Sequence, residues 1–279
     1  MADTIASVTF AMPELPDVET FKQYFDATSL HQRIENVDVR DAYILKGVSA
    51  RELARGLKGH RFESSRRHGK HLFVCADGDL WLRLHFGMTG SLRYFKHEEQ
   101  ARRHTRVLFV FANTHCLAFE DQRKFGEVGL IEDVNEFLKK RALGPDALDV
   151  SLGQFREIFA KHRGAVKTIL LNQKLIAGIG NIYADEILFR ARIHPATQVL
   201  ALKEKAVTKL FRATRYILKR AIEANADVAP MPKSWLLPHR GKGGKCPGCG
   251  RKLRSATMGG RTAWFCAHCQ KRRSGSQAA

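Results

Sequence analysis

Cys246-Pro247-Gly248-Cys249 and, sixteen residues further on, Cys266-Ala267-His268-Cys269 bring the chain towards its end with two Cys-x-x-Cys pairs. Two such pairs at this separation match the four-thiolate zinc pattern. Each pair sits on a tight turn, so both of its sulfurs point at one tetrahedral ion, and a borderline-soft metal takes deprotonated sulfur. Two disulfides are the alternative. The regular spacing and an opening without a secretory signal favour the metal. His268 lies inside the second turn, as a bystander or a phosphate contact. Around the cysteines stand Arg251, Lys252, Arg254, Arg261, Lys271, Arg272 and Arg273. A metal-closed hairpin of this charge reads as a nucleic-acid module, whereas a merely structural zinc clip makes no demand on charge.

The rest of the composition agrees. Lys and Arg number 47 against 28 Asp and Glu in 279 residues, a formal net charge of +19. Such a balance calls for a polyanionic partner, nucleic acid first. The length suffices for two domains beside the zinc module. Cys75 and Cys116 remain after the four ligands and sit in strand-like apolar runs, as inert buried thiols of a reducing compartment do. No apolar run reaches the roughly eighteen residues of a membrane helix, and Met1–Ala11 resembles neither a signal nor a transit peptide.

Met12-Pro13-Glu14-Leu15-Pro16-Asp17-Val18-Glu19 joins two prolines to three carboxylates ahead of a helical run through Phe25. Pro16 suits a first helical turn, with Asp17 and Glu19 at the positive end of the dipole. An ordinary helix start accounts for this. A chemical reading needs the working chain to lose Met12, leaving Pro13 a secondary amine that is partly neutral at pH 7 and can attack a sugar C1′. In the chain as it stands, that nitrogen is a tertiary amide. Residues 33–130 alternate in short runs (Ile34–Arg40, Arg61–Ser65, His71–Ala76, Asp79–His85, Ser91–Phe95, Arg106–Ala112, His115–Glu120), an all-β sandwich or barrel pattern, with a short helix over Arg51–Lys58. Arg66–His71 reads as a basic loop. His85–Ser91 is a Gly-rich tip whose Met88 suits a wedge into a base stack. Asp121–Gly126 is a second tip, with Arg123, Lys124 and Phe125 in a row. After Gly144-Pro145 helices take over: Leu152–His162 behind a Ser151/Gln154 capping box, Val166–Asn172, a helix from Asn181 after Gly178-Ile179-Gly180, and Leu200–Ala224. A helix N-terminus behind a Gly turn is an anion site. Residues 226–245 form a linker.

In this order, the 12–20 stretch, the lysine of Arg66–His71, His85–Ser91, Asp121–Gly126, Gly178–Glu186 and the four cysteines resemble the formamidopyrimidine-DNA glycosylases and their endonuclease VIII relatives, from residue 12 to about 270. The resemblance implies an α+β multidomain fold: a β-sandwich with flanking helices over 12–144, a helix–two-turn–helix domain over 145–240 and a four-Cys zinc finger over 241–273. Residues 1–11 then form an extension ahead of a true start at Met12. It implies a monomer acting on damaged double-stranded DNA, in the cytoplasm (at the nucleoid in a bacterium), with one structural zinc on Cys246, Cys249, Cys266 and Cys269. Oxidised purines, 8-oxoguanine or formamidopyrimidine, would be excised and the abasic site cleaved by β,δ-elimination. Pro13 would be the Schiff-base nucleophile, Glu14 the acid, Glu19 a supporting carboxylate, Lys70 the β-elimination lysine and Arg261 the δ-elimination residue. Met88, Arg123 and Phe125 would fill the void left by the flipped nucleotide. His104, Asn181, Lys167, Arg123 and His85 would contact DNA. The chain departs from the family pattern at Gln122 and Lys124, where Pro and Arg are usual, and in its short 226–245 segment. There His239-Arg240 resembles the endonuclease VIII branch, which acts on oxidised pyrimidines, while Glu14-Leu15-Pro16 resembles the formamidopyrimidine branch. With its amine blocked, the chain would instead be a non-catalytic damage- or structure-specific DNA-binding protein.

Overall fold

The computed structural model describes residues 12–272; the expected extension over 1–11 and Arg273 lie outside the described residues. Between Ala142 and Leu143 the chain separates into two compact units.

The first unit opens on helix α1 (Leu15–Ser29), with Pro16 in its first turn. Glu14 and Asp17 cap it reciprocally. The Glu14 side chain accepts from the Asp17 N–H, and Asp17 accepts from the Glu14 N–H at 2.8 Å. This is a capping box built from two carboxylates. Val18, Phe21 and Phe25, three and four residues apart, share one face and enter the core. Strand β1 (Ile34–Val39) and helix α2 (Ala50–Leu57) follow, the helix opened by a Ser49/Glu52 capping box. Then come β2 (Phe62–His68), β3 (His71–Ala76), β4 (Trp81–His85), β5 (Gly90–Lys96), β6 (Thr105–Phe111), β7 (His115–Asp121), β8 (Glu127–Ile131) and helix α3 (Val134–Lys140). Two four-stranded antiparallel sheets form, ordered β1-β6-β7-β5 and β2-β3-β4-β8.

The period of two along each strand explains the sandwich. Leu72, Val74 and Ala76 of β3 and Val107, Phe109 and Phe111 of β6 enter one shared core. The intervening Leu108 and Val110 pack with Phe95, Cys116 and Ala118 into a smaller cluster on the other face of their sheet. The basic run Arg66-Arg67-His68, expected in a loop, is in fact strand. His68 pairs with His71, which reduces the turn to Gly69-Lys70, and Gly69 supplies the left-handed φ of +57°.

The second unit holds α4 (Leu152–Lys161), α5 (Val166–Leu171), α6 (Asn181–Ala191) and α7 (Glu204–Glu223), followed by the hairpin β9 (Arg254–Met258) and β10 (Arg261–Phe265). The Ser151/Gln154 capping box forms as expected. The helix expected from Leu200 starts later, because Val199–Ala201 makes a separate 3-10 turn. Phe189 of α6 and Trp264 of β10 pack against Leu236, Leu253, Cys246 and Cys266, so the cysteine module shares a small core with the helices.

Gly87 has φ +57°, and a Cβ there would lie 2.3 Å from the Phe125 carbonyl carbon and 2.5 Å from the Gly126 nitrogen. Gly87→Ala forces these two backbones apart and combines the clash with an unfavourable φ. Urea unfolding should show a loss of about 2 kcal/mol or more, and an unchanged midpoint would show that the tips do not need this approach.

Candidate active site and nucleic-acid interface

Three carboxylates stand at the head of α1. Glu14 and Asp17 are buried, while Glu19 is partly exposed and accepts from Arg67 Nε at 2.7 Å. Arg67 also donates through Nη1 to the Gly69 carbonyl at 3.1 Å, which ties the turn carrying Lys70 to the helix. Burial pushes the Asp17 carboxyl up to about 7, with the Glu14 charge adding to the rise and the Glu14 amide and the Lys70 charge opposing it. Lys70 is itself buried. The charge of one buried lysine thus reaches a carboxyl that titrates near neutrality, in the first turn of the helix that Pro13 precedes. A group that titrates near 7 can carry a proton in either direction at working pH.

The two expected wedge tips stack on each other. The close approach at Gly87 sets the 85–91 turn against Phe125-Gly126. Asp121 organises the second tip: one carboxylate oxygen takes the Thr89 hydroxyl and the Arg123 N–H, and the other takes the Gly126 N–H at 2.7 Å. Phe125 is 53% exposed and the Arg123 guanidinium lies 5.0 Å from its ring centre. An exposed aromatic under a cation suits a stack opened by base extrusion. Met88 is half-buried in the facing turn. Lys124 turns away to pair with Asp41 at 2.7 Å. Desolvation pulls His85 down to about 4, with Lys70, Arg83 and Arg141 adding to it and Glu127 opposing, so the ring is neutral and its Nδ1 accepts the Gly87 N–H at 3.2 Å. His85 therefore shapes the turn. His104 is half-buried, and its carbonyl accepts from the Asp121 N–H at 2.9 Å.

In the second unit Asn181 opens α6 behind the Gly178–Gly180 turn. Its Nδ2 donates to the Thr262 carbonyl at 3.0 Å, so the helix N-terminus meets the hairpin beside exposed Arg261. Gln173 holds that turn, donating to Leu171 and Ile179 and accepting from Gly178. Lys167, expected at DNA, lies inside the unit. Lys167 is fully buried and its ammonium pairs with the equally buried Asp185. A buried charge is retained only where it is paired, and this one is committed inside the unit. Asp185 also accepts from Arg240 Nε and the Trp264 N–H, each at 3.0 Å.

The four expected cysteine sulfurs lie within 4.8 Å of one another, with Cys246 to Cys269 at 3.8 Å and Cys249 to Cys266 at 3.5 Å. Zinc–sulfur bonds of about 2.3 Å at tetrahedral angles place sulfurs about 3.8 Å apart, so the set fits zinc.

Family models of the formamidopyrimidine-DNA glycosylase N-terminal domain, its H2TH domain and the zinc finger found in FPG and IleRS match residues 12–128, 143–231 and 243–272. A formamidopyrimidine-DNA glycosylase of Solibacter usitatus is 34% identical over 94% of this chain and all of its own, and one of Bacillus subtilis is 33% identical over the same shares. The chain belongs to the formamidopyrimidine-DNA glycosylase family. Members of that family are DNA glycosylases of base-excision repair. The Lactococcus lactis family member in complex with abasic-site DNA superposes with a TM-score of 0.83 at 29% identity, covering 93% of this chain and all of that one. The same protein with DNA containing N7-benzyl-Fapy-dG gives 0.84. The finger match and the sulfur geometry together assign one structural zinc ion to the four thiolates.

Arg67, Asp121 and Asp185, none of them among the expected site residues, hold Glu19 and the Gly69 turn, the 121–126 tip, and Lys167 with Arg240 and the Trp264 amide. The Asp121 position five residues before Gly126 was the one usable signal, since Asp at a strand end often closes a turn on its own side chain.

Two measurements follow from this geometry. The folded Asp17 carboxyl titrates near 7 rather than 3.8. The folded state therefore holds this proton more tightly, and stability falls as pH rises from about 4 to about 7, by about 4 kcal/mol at most. Asp17→Asn keeps an acceptor for the Glu14 amide and should remove that share of the slope in urea melts at pH 4.5, 6 and 8; identical slopes would mean that Asp17 titrates normally. Removing zinc with a chelator, or changing Cys249 to Ser, should loosen the core around Trp264 and shift its fluorescence, because structural zinc sites couple binding to folding. An unshifted spectrum with zinc lost would separate the metal from that core.

Proposed function

We propose that this chain excises oxidised purines from double-stranded DNA and then cuts the strand by β,δ-elimination, as a monomer, when it begins at Pro13. The observation that carries the reading is the juxtaposition at the head of α1: Pro13 precedes the buried Glu14–Asp17 capping pair, whose Asp17 feels the charge of buried Lys70. A free Pro13 amine attacks C1′ of the damaged nucleoside and the base leaves with a proton. The ring oxygen takes a proton from Glu14, opening the sugar to a C1′ iminium. Lys70 removes the C2′ proton and the 3′-phosphate departs. Arg261 assists loss of the 5′-phosphate in the δ step, and water then releases Pro13. Met88, Arg123 and Phe125 occupy the gap in the duplex. Asn181 and Arg261, joined through Thr262, offer a helix N-terminus and a guanidinium to phosphate. The net charge of +19 supports tight, salt-sensitive binding.

A second reading, oxidised pyrimidines, is favoured by the segment over 226–245. Its Met231, Trp235 and Leu236 are buried and Arg240 is engaged by Asp185, so little of it remains to reach over a base.

Borohydride trapping on 8-oxoguanine and thymine-glycol duplexes tests both readings. The Pro13-started chain should give a covalent adduct with the purine lesion, and Pro13→Gly should reduce nicking at least about a hundredfold with DNA affinity nearly intact. A preferred adduct with thymine glycol would favour the second reading. Salt-sensitive binding without any adduct would leave a non-catalytic DNA-binding protein.

A further inference from the structure

Four large apolar side chains stand exposed among the described residues: Tyr43, Phe125, Leu200 and Tyr216. Phe125 belongs to the 121–126 tip. Tyr43 is more exposed still, at 69%. It sits in the 3-10 turn Ala42–Ile44, between β1 and α2. Single exposed aromatics are common on protein surfaces, so exposure by itself is no sign of a contact. Three further features set this ring apart.

First, its turn is tied to the tip. Asp41 caps the turn by accepting the Tyr43 N–H at 3.2 Å, and the same carboxylate takes the Lys124 ammonium at 2.7 Å and Arg106 Nη1 at 3.4 Å. Arg106 also donates through Nε to the Asp121 carbonyl at 2.7 Å. Lys124 stands between Arg123 and Phe125. One carboxylate thus joins the two loops that carry Tyr43 and Phe125. Second, the turn is pinned. Ile44 enters the core, the Leu45 N–H donates to the Ala42 carbonyl at 3.0 Å, and the Lys46 N–H donates to the Val128 carbonyl at 2.9 Å. Gly129 of β8 packs so close that a Cβ on it would lie 2.5 Å from the Lys46 carbonyl oxygen. A ring held on a pinned turn loses little freedom when it is covered. Third, the ring has a cation of its own. Lys46 Nζ lies 5.2 Å from its centre and donates to the Tyr43 carbonyl at 3.1 Å. An ammonium carries three donors, and this bond uses one. The tip repeats the arrangement, with the Arg123 guanidinium 5.0 Å from the Phe125 ring centre.

A flat apolar face beside a cation, presented twice on joined loops, matches a polyanion whose repeating unit carries both a ring and a phosphate. An acidic peptide would satisfy the cations and leave both rings without a flat partner. We propose that Tyr43 and Lys46 form a second nucleic-acid contact beside the 121–126 tip, the ring packing on a nucleoside that flanks the opened step and the ammonium bonding its phosphate. The proposal rests on the reading of that tip as a DNA contact, and it is independent of the Pro13 chemistry.

Fluorescence anisotropy of the full chain with a duplex carrying tetrahydrofuran in place of one nucleoside tests it. Tyr43→Ala should weaken binding about tenfold, the scale of one lost base–aromatic stack, and Tyr43→Phe should restore most of the affinity. Lys46→Ala should weaken binding and lower the slope of log K against log salt by about one. Leu200→Ala, which removes an equally exposed apolar side chain from the other unit, should change neither. If Phe125→Ala weakens binding while Tyr43→Ala does not, the turn is no part of the contact and the proposal fails, although the tip keeps its role. If neither variant weakens binding, the reading of the tip and the proposal fall together.

Discussion

Asp185 is the fixed point of the C-terminal unit. One buried carboxylate takes the Lys167 ammonium, the Arg240 guanidinium and the Trp264 backbone amide. These donors come from α5, from the connector ahead of the finger and from the finger's own hairpin. Its neighbour Glu186 accepts the amides of Leu236 and Leu237 at 3.1 and 2.8 Å; burial pushes it up to about 7 while those amides pull it back. Two successive side chains of α6 thus fasten the connector, and one of them fastens the hairpin as well. Breaking a buried ion pair from one side costs about 3–5 kcal/mol, comparable with much of a domain's net stability. The zinc ion closes the finger, but α6 decides where the finger sits within this unit.

The N-terminal unit uses the same economy at a different place. Arg67 bonds both Glu19 and the turn that carries Lys70, so one guanidinium ties that turn to Glu19 near the head of α1. Asp121 does this for the paired 85–91 and 121–126 tips, gathering Thr89, Arg123 and Gly126 around a buried carboxylate. In each case one charged side chain gathers its neighbours and holds them in place. Preorganised side chains of this kind spare a binding event the entropy of ordering them.

Much of this was legible in the chain. The four-Cys spacing, the period of two over the strands and the Ser151/Gln154 cap all report local rules, and local rules survive folding. What stayed hidden was decided by tertiary partners. Arg66-Arg67-His68 looks like a solvated loop by composition, yet pairing with β3 makes it strand. Lys167 carries a charge suited to phosphate, but nothing within its own helix indicates that Asp185, eighteen residues away, would bury it. Strand β8, Glu127-Val128-Gly129-Leu130-Ile131, carries a glycine at its centre, which weakens its alternation. A Cβ at Gly129 would lie 2.5 Å from the Lys46 carbonyl, so a close approach from elsewhere in the chain, invisible along the strand itself, explains that glycine.

The small cluster behind β6 and β7 has a bearing on survival under oxidants. Burial pushes the Cys116 thiol there up to about 11, and Cys75 on the other sheet is raised in the same direction by desolvation. Peroxide attacks thiolate, and at pH 7 a thiol titrating near 11 is ionised in about one molecule in ten thousand. The other four cysteine sulfurs are the zinc-binding set. Both cysteines outside the metal set are thereby kept chemically quiet towards oxidants.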